Sequence, residues 1–452
     1  MSQPNQSPIG LLTIGRKRPG FDQEWNQIMR GKADEALAAC GFRVVRPDLP
    51  VVDEQTTKAA LDLFRDEGCD ALLVLQPSLG NGQLSLTVAQ NWEAPLVLWA
   101  TPERLESTTV SSCSLVAQHL WAAMLRQVNH PYEFVYGDPA STDTRSSLKR
   151  SMAICRAAGA LKSAKLGLVG ANAPGFIDMA VDLSMLKKNL GVQLQPLSLA
   201  MFIERVKAVP EQQMAGDLKK VLDLKLNMGK LTQDDLTTNS RYYVAILDLM
   251  AEESLDGIAI QCWPELSNMV GQWPYLAFSR LTNEGQIVAL EGDVDAALTC
   301  LVAKKLGMGI GFITDWLEHD KNSVMFWHPG NAPASMLNPV GSPDGPSLNY
   351  HFNIQKPAVV DGPLKTDVPV TVTRLWNCDG KYHLLGFEGQ IVKPRRKLTG
   401  NYATVEVADR NMLEYFESMI HAGVPHHVVM FHGQHSDTLQ RLARVLGISW
   451  LG

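Results

Sequence analysis

Gln286-Ile-Val-Ala-Leu-Glu-Gly-Asp-Val-Asp-Ala-Ala-Leu-Thr-Cys300, continued by Leu301-Val-Ala-Lys-Lys-Leu-Gly-Met-Gly-Ile-Gly-Phe-Ile-Thr-Asp315, is the stretch on which the fold turns. A short apolar run ends at Glu291, a helical pattern covers about 294–306, and a second apolar run over 309–313 leads into Asp315. In a strand–helix–strand unit the two strands run parallel, so their carboxyl ends share one edge of the sheet. Glu291 and Asp315 are therefore expected to meet there. Ligand crevices of open α/β sheets lie outside that edge, and two carboxylates facing one crevice repel unless a proton or a cation separates them. The expectation is a divalent metal.

The same alternation extends outward on both sides. Upstream, apolar strand-like runs at 9–15, 41–45, 71–75 and 95–99 are separated by helical patterns, as in a parallel sheet covered on both faces. The pattern restarts at Lys165-Leu-Gly-Leu-Val169 and continues through Leu255-Asp-Gly-Ile-Ala-Ile-Gln261. The turn Gly170-Ala-Asn-Ala-Pro-Gly175 lacks both GxGxxG and GxxxxGK[ST], so phosphate binding is not expected. From about Asn322 proline and glycine become frequent, and alternating segments such as Val368-Pro-Val-Thr-Val-Thr-Arg374 indicate antiparallel strands. The expected fold class is α/β, with two doubly wound parallel-sheet domains over 1–160 and 161–325. A β-rich, antiparallel barrel-like domain over 326–452 follows. A chain of 452 residues exceeds what one core normally holds.

An apolar fraction of 45% and a charged fraction of 19% describe an ordinary globular chain. A net charge of -6, without a basic stripe, argues against a nucleic-acid partner. The absence of a long apolar run and the polar start Met1-Ser-Gln-Pro-Asn-Gln-Ser-Pro point to a cytoplasmic protein with no membrane partner. Seven scattered cysteines without a CxxC pair read as reduced thiols rather than a disulfide framework or thiolate zinc site.

Besides Glu291 and Asp315, metal-ligating side chains occur in Phe326-Trp-His-Pro-Gly-Asn-Ala-Pro333 and Gly423-Val-Pro-His-His-Val-Val-Met430. Oxygen donors with one or two imidazoles suit Mn²⁺, Mg²⁺ or Co²⁺ better than a thiolate set suits zinc. Each piece also has a plain structural reading. An acidic residue before a helix serves its N-terminus, His328 beside Trp327 fits a buried turn, and only one of two adjacent strand histidines faces a given site.

Taken together, Glu291-Gly-Asp293, Asp315 after Gly-Phe-Ile-Thr, and Gly423-Val-Pro-His426-His427 before a final helix resemble the L-fucose and L-arabinose isomerase superfamily. The resemblance covers about residues 160–452. It implies that Glu291, Asp315 and His427 hold Mn²⁺, with the two carboxylates also moving protons, and that His328 is a further ligand. It also implies that Gln261, in Ala259-Ile-Gln-Cys-Trp-Pro264, contacts the sugar. Arg16 is similar to a family residue that reaches a neighbouring subunit's site, and trimers or hexamers in the family imply a homo-oligomer. The chain is shorter than the classical sugar isomerases, and Thr314-Asp315 replaces the Glu-Asp pair of arabinose isomerases, which leaves the sugar open.

The expected reaction is aldose–ketose isomerisation of an open-chain sugar through a cis-enediol. Protons move between C1 and C2 and between O1 and O2, with Glu291 and Asp315 as acid and base beside a Lewis-acidic metal. Trp263, Trp316 and Trp327 offer aromatic walls or ordinary core packing, and Asn331 offers an amide for the substrate. Arg16-Lys17-Arg18 can receive an anionic tail, so an acidic or sulfonated sugar such as sulfoquinovose is an alternative substrate; a solvated turn is the other reading. A metal-dependent lyase or epimerase, or a non-catalytic sugar-binding protein on the same scaffold, are the further alternatives. Loss of imidazole binding is expected below pH ~6, where His427 protonates.

Overall fold

A computed structural model describes residues 7–15 and 21–452. Arg16, Lys17 and Arg18, expected at the substrate, lie outside the described residues. Backbone contacts group residues 1–160 with 444–447 as one unit and residues 161–443 with 448–452 as a second.

The first unit holds a five-stranded sheet of β1 (Ile9–Thr13), β2 (Val44–Val45), β3 (Ala71–Gln76), β4 (Leu96–Ala100) and β5 (Tyr132–Tyr136), in the order β2-β1-β3-β4-β5. All its pairings are parallel. Every residue of β3 and β4 is buried, as continuous apolar runs require when helices cover both faces.

The second unit begins with a four-stranded parallel sheet of β6 (Lys165–Val169), β7 (Gln193–Leu197), β8 (Gly257–Ile260) and β9 (Val288–Ala289), in the order β7-β6-β8-β9. The order reverses between β6 and β8, where a ligand crevice is expected beyond the carboxyl ends. The helix Val294–Leu306 follows β9, is capped by Asp293 and ends at Gly307 in a left-handed conformation.

The remaining strands are β10 (Gly311–His319), β11 (Ser323–His328), β12 (Ser347–Asn349), β13 (Val359–Pro363), β14 (Pro369–Cys378), β15 (Lys381–Val392), β16 (Asn401–Glu406), β17 (His427–His432) and β18 (Ser449–Leu451). They pair in the order β12-β13-β16-β11-β10-β17-β14-β15-β18, and β15 also pairs with β16. The run from β16 to β15 thus closes on itself. Phe312, Val324, Phe326, Val370, Val372, Leu385, Phe387, Val405, Val428 and Met430 form one buried cluster inside that closure.

One expectation is corrected. The strand ending at Asp315 does not join β9 in the parallel sheet; as β10 it pairs antiparallel with β11 and β17. Gly307 and Gly309, both at positive φ, turn the chain away after the helix and let it enter the second sheet. The division drawn from sequence at residue 325 falls inside β11, which is hydrogen-bonded to β10 in the second unit. No helix among the described residues is long and apolar enough to cross a membrane.

Candidate active site

Glu291 is set by a tight turn at the end of β9. It adopts φ 58°, unusual for a residue with a side chain, and Gly292 follows at φ 74°. A Cβ on Gly292 would overlap the carbonyl of Ala171, so only glycine fits. The turn is braced from two strands. The Glu291 N–H donates to Cys262 Sγ (3.3 Å), Gly292 N–H to the Ile260 carbonyl (3.0 Å), Ala173 N–H to the Glu291 carbonyl (2.9 Å), and Asn172 Nδ2 to the Gly292 carbonyl (3.0 Å). The glycine-flanked turn after β6 is therefore a brace. A left-handed non-glycine residue costs about 1–3 kcal/mol and persists where its surroundings over-determine it, often at functional sites.

Asp315 and His427 come from the closed sheet, as directly opposed residues of β10 and β17. Phe312 belongs to the core on β10, and Val428 and Met430 belong to it on β17. Strand alternation therefore sends Asp315 and His427 to the outer face together. His427 Nε2 lies 3.4 Å from an oxygen of Glu291 and 3.4 Å from an oxygen of Asp315. That nitrogen is buried and has no hydrogen-bond partner among the described residues. Its other nitrogen, Nδ1, is 2.9 Å from Asp293 Oδ2. His328, at the end of β11, joins the group: ligand atoms of Asp315, His328 and His427 lie within 4.8 Å of one another. Glu291, His426 and His427 form a second such group.

Burial dominates the electrostatics. It raises the Asp315 carboxyl above the ordinary range, a shift that His427 opposes and Glu291 reinforces. The same desolvation, with the neighbouring His427, holds His328 well below the usual histidine value and thus neutral. Burial would also lower His427, but the hydrogen bond to Asp293 and the carboxylates of Glu291 and Asp315 win and lift it to about 10. Asp293 would be raised by burial, yet the Arg374 guanidinium and His427 hold it well below the carboxylate range.

Of the residues named from sequence, Asp315, His328 and His427 lie together, and Glu291 joins them through His427 Nε2. Asn331 is close but differently engaged. Its Oδ1 lies 2.7 Å from His328 Nδ1 and its Nδ2 donates to the Ile313 carbonyl (3.1 Å), so the amide orients His328 rather than facing a substrate. Gln261 accepts from Ala171 N–H at 2.8 Å and ties down the bracing loop. Trp263 stacks on Phe176, which meets His426 edge-on. Trp316 is a correction: one residue beyond Asp315, it points the other way and packs with Phe326, Phe387 and Phe416. Trp327 donates to the Thr399 carbonyl and packs edge-on with Phe352.

Sequence reasoning gave no role to Asp293, although it quoted it in the Glu291-Gly-Asp293 motif, nor to Arg374 or Asp178. Arg374 is fully buried and forks onto Asp293, Nη1 to Oδ2 at 2.5 Å and Nη2 to Oδ1 at 2.9 Å. Asp178 lies 2.7 Å from His426 Nδ1. A charge at the end of the apolar run over 368–373 was the available signal for Arg374; nothing local marks Asp178.

A parallel-sheet edge thus faces a closed antiparallel sheet, with the carboxylates of Glu291 and Asp315 and the imidazoles of His427 and His328 between them. Residues 13–162 match the family described as the N-terminal domain of fucose/sulfoquinovose isomerase. Proteins named sulfoquinovose isomerase from Priestia aryabhattai and Priestia megaterium are each 26% identical over 441 residues, covering 97% of both chains. One from Alkalicoccus urumqiensis is 23% identical over 446 residues, again 97% of both. The chain is thus similar to the fucose/sulfoquinovose isomerases in its N-terminal third, and to proteins named sulfoquinovose isomerase over almost its full length.

Proposed function

We propose that this chain is a metal-dependent aldose–ketose isomerase of a sulfonated sugar. The observation that carries the metal is the orphaned Nε2 of His427, buried and 3.4 Å from each of two carboxylates. Adjacent ligands of an octahedral ion with ~2.1 Å bonds lie about 3 Å apart, so each carboxylate is within a few tenths of an ångström of ligand spacing from Nε2. Glu291, Asp315 and His427 would hold the ion, with His328 Nε2 as a further donor, because the Asn331 oxygen accepts only and so places the His328 proton on Nδ1. An oxygen-rich donor set with imidazoles suits Mn²⁺, or Mg²⁺ or Co²⁺. When bound, the ion polarises the two sugar oxygens as a Lewis acid.

The chain's residues supply the proton transfers. Asp315, whose carboxyl burial raises, carries the proton exchanged between O1 and O2. Glu291, aimed by its turn, moves the proton between C1 and C2, and general catalysis of this kind contributes about 10²–10⁴ in rate. Trp263, Phe176 and His426 form an aromatic flank against which the sugar's C–H face rests. The sulfonate assignment is supported by the names of the relatives, and Arg16-Lys17-Arg18 remain its proposed receivers. A homo-oligomer is likewise proposed on the superfamily resemblance.

The test is isotope exchange. Wild-type chain with sulfoquinovose and Mn²⁺ in deuterated water should form the ketose and place deuterium on C1 or C2. Glu291→Gln should fold normally and place none; turnover retained in that variant removes Glu291 from the mechanism. Exchange with a neutral aldose but not with the sulfonated sugar would move the substrate to the other class.

A further inference from the structure

The Asp293 carboxylate is saturated. Its Oδ1 accepts from Ala296 N–H (2.9 Å) and Arg374 Nη2, and its Oδ2 accepts from Arg374 Nη1 and from His427 Nδ1. A carboxylate offers about four lone-pair sites, and all four are used here. Asp293 and Arg374 are fully buried. Capping the helix Val294–Leu306 needs only one of those contacts, and an exposed Asp would supply it. A buried ion pair adds little stability over apolar packing, and here it also leaves Arg374 Nε without a partner among the described residues. Stability and capping alone therefore do not account for a fully buried, bidentate pair at this position.

We propose that Asp293 and Arg374 are positioning residues that fix the ring angle and tautomer of His427, so that its Nε2 lone pair faces Glu291 and Asp315. This rests on the metal-site reading above. Asp293 can only accept, because the guanidinium keeps it an anion, so the Nδ1 of a singly protonated His427 must carry the proton and Nε2 must be the donor to a cation. Glu291 and Asp293 are two residues apart across Gly292, and that turn brings one carboxylate to each nitrogen of the same ring, Glu291 to Nε2 and Asp293 to Nδ1. Arg374 acts one step further back. By neutralising Asp293 it prevents a third carboxylate from competing for the cation or repelling the two that face it.

Asp293→Asn separates this role from capping and packing. The amide is isosteric, and its oxygen can keep the Ala296 and Arg374 Nη2 contacts. Its NH₂ then stands where Arg374 and His427 both donate. His427 relieves the clash by becoming the acceptor at Nδ1, which moves its proton to Nε2 and removes the lone pair from the site. Mn²⁺ affinity of the metal-free full-length chain, measured by titration calorimetry, is expected to fall about 10- to 100-fold in Asp293→Asn. It should fall by a similar factor in Arg374→Met and less in Arg374→Lys, which restores the charge but not the fork. Wild-type affinity in a folded Asp293→Asn overturns the inference and leaves the metal reading intact; a wild-type chain that binds no Mn²⁺, Mg²⁺ or Co²⁺ sinks the metal reading itself. Should the variants fail to fold, ¹⁵N NMR of wild-type chain loaded with diamagnetic Zn²⁺ decides: coordination through Nε2 with a protonated Nδ1 upholds the assignment, and coordination through Nδ1 refutes it.

Discussion

His427 is held between carboxylates at both nitrogens, and its titration reports that. Raised to about 10, against ~6.5 for a free imidazole, it stays protonated in the metal-free chain at neutral pH. The expected loss of binding below pH ~6 must therefore be moved upward, because three carboxylates oppose deprotonation. A divalent ion has to displace the Nε2 proton, so affinity should rise with pH across the neutral range, by up to about tenfold per unit, and level off near pH 10. Calorimetry in buffers of different ionisation enthalpy should count close to one proton released per Mn²⁺ at pH 7.5; no release would mean the ring is already neutral. The sign for stability is opposite. A raised histidine stabilises the fold fully below its unfolded value, and that contribution fades as pH climbs through the folded value. The melting temperature of metal-free wild type should therefore fall between pH 7 and 10 more steeply than that of His427→Gln.

The Glu291-Gly292-Asp293 turn is where elements meet, being braced by the turn after β6 and the end of β8 while serving as N-terminus of the helix Val294–Leu306. Gly292→Ala forces a side chain into a positive-φ position already filled by Ala171. A loss of more than about 1 kcal/mol in chemical denaturation, together with weakened Mn²⁺ binding, is expected; wild-type values for both would show that the turn has an alternative conformation. Much of this element was legible. The helix was read over the residues it occupies, and its neighbours Glu291 and Asp315 were marked because they end apolar runs. The destination of β10 was not legible, because an apolar run after a helix looks the same whether it completes a parallel sheet or enters an antiparallel one. Glu291 and Asp315 both approach His427 Nε2, for a different reason from the one inferred, since two sheets face each other rather than two strands of one sheet running alongside. Arg374 was hidden for a related reason: its partner lies 81 positions away, and no local pattern records that distance.

At the scale of the molecule, the proposed ligands join two substructures of the second unit. Glu291 extends from the parallel sheet, whereas Asp315, His427 and His328 stand on β10, β17 and β11 of the closed sheet. Each substructure has covalent links to the other, but without a cation the site itself joins them through an imidazolium between acids, and the two carboxylates still repel. An ion bound there binds the native arrangement and not the unfolded chain, so it stabilises by mass action. At a free Mn²⁺ concentration about 100 times the Kd the gain is ~2.7 kcal/mol. For a cooperative unit of this size that corresponds to a rise in melting temperature of about 4–5 °C. The rise should be reversed by chelator, restored by adding Mn²⁺ back, and absent from Glu291→Gln/Asp315→Asn, which keeps the shape of the site and removes its anionic oxygens. Because the first unit contributes none of these four residues, calorimetric transitions assigned to residues 161–443 should move while any separate transition of residues 7–160 stays in place. A shift of equal size in the double variant would mean that the ion binds elsewhere, and the proposed site would lose its metal.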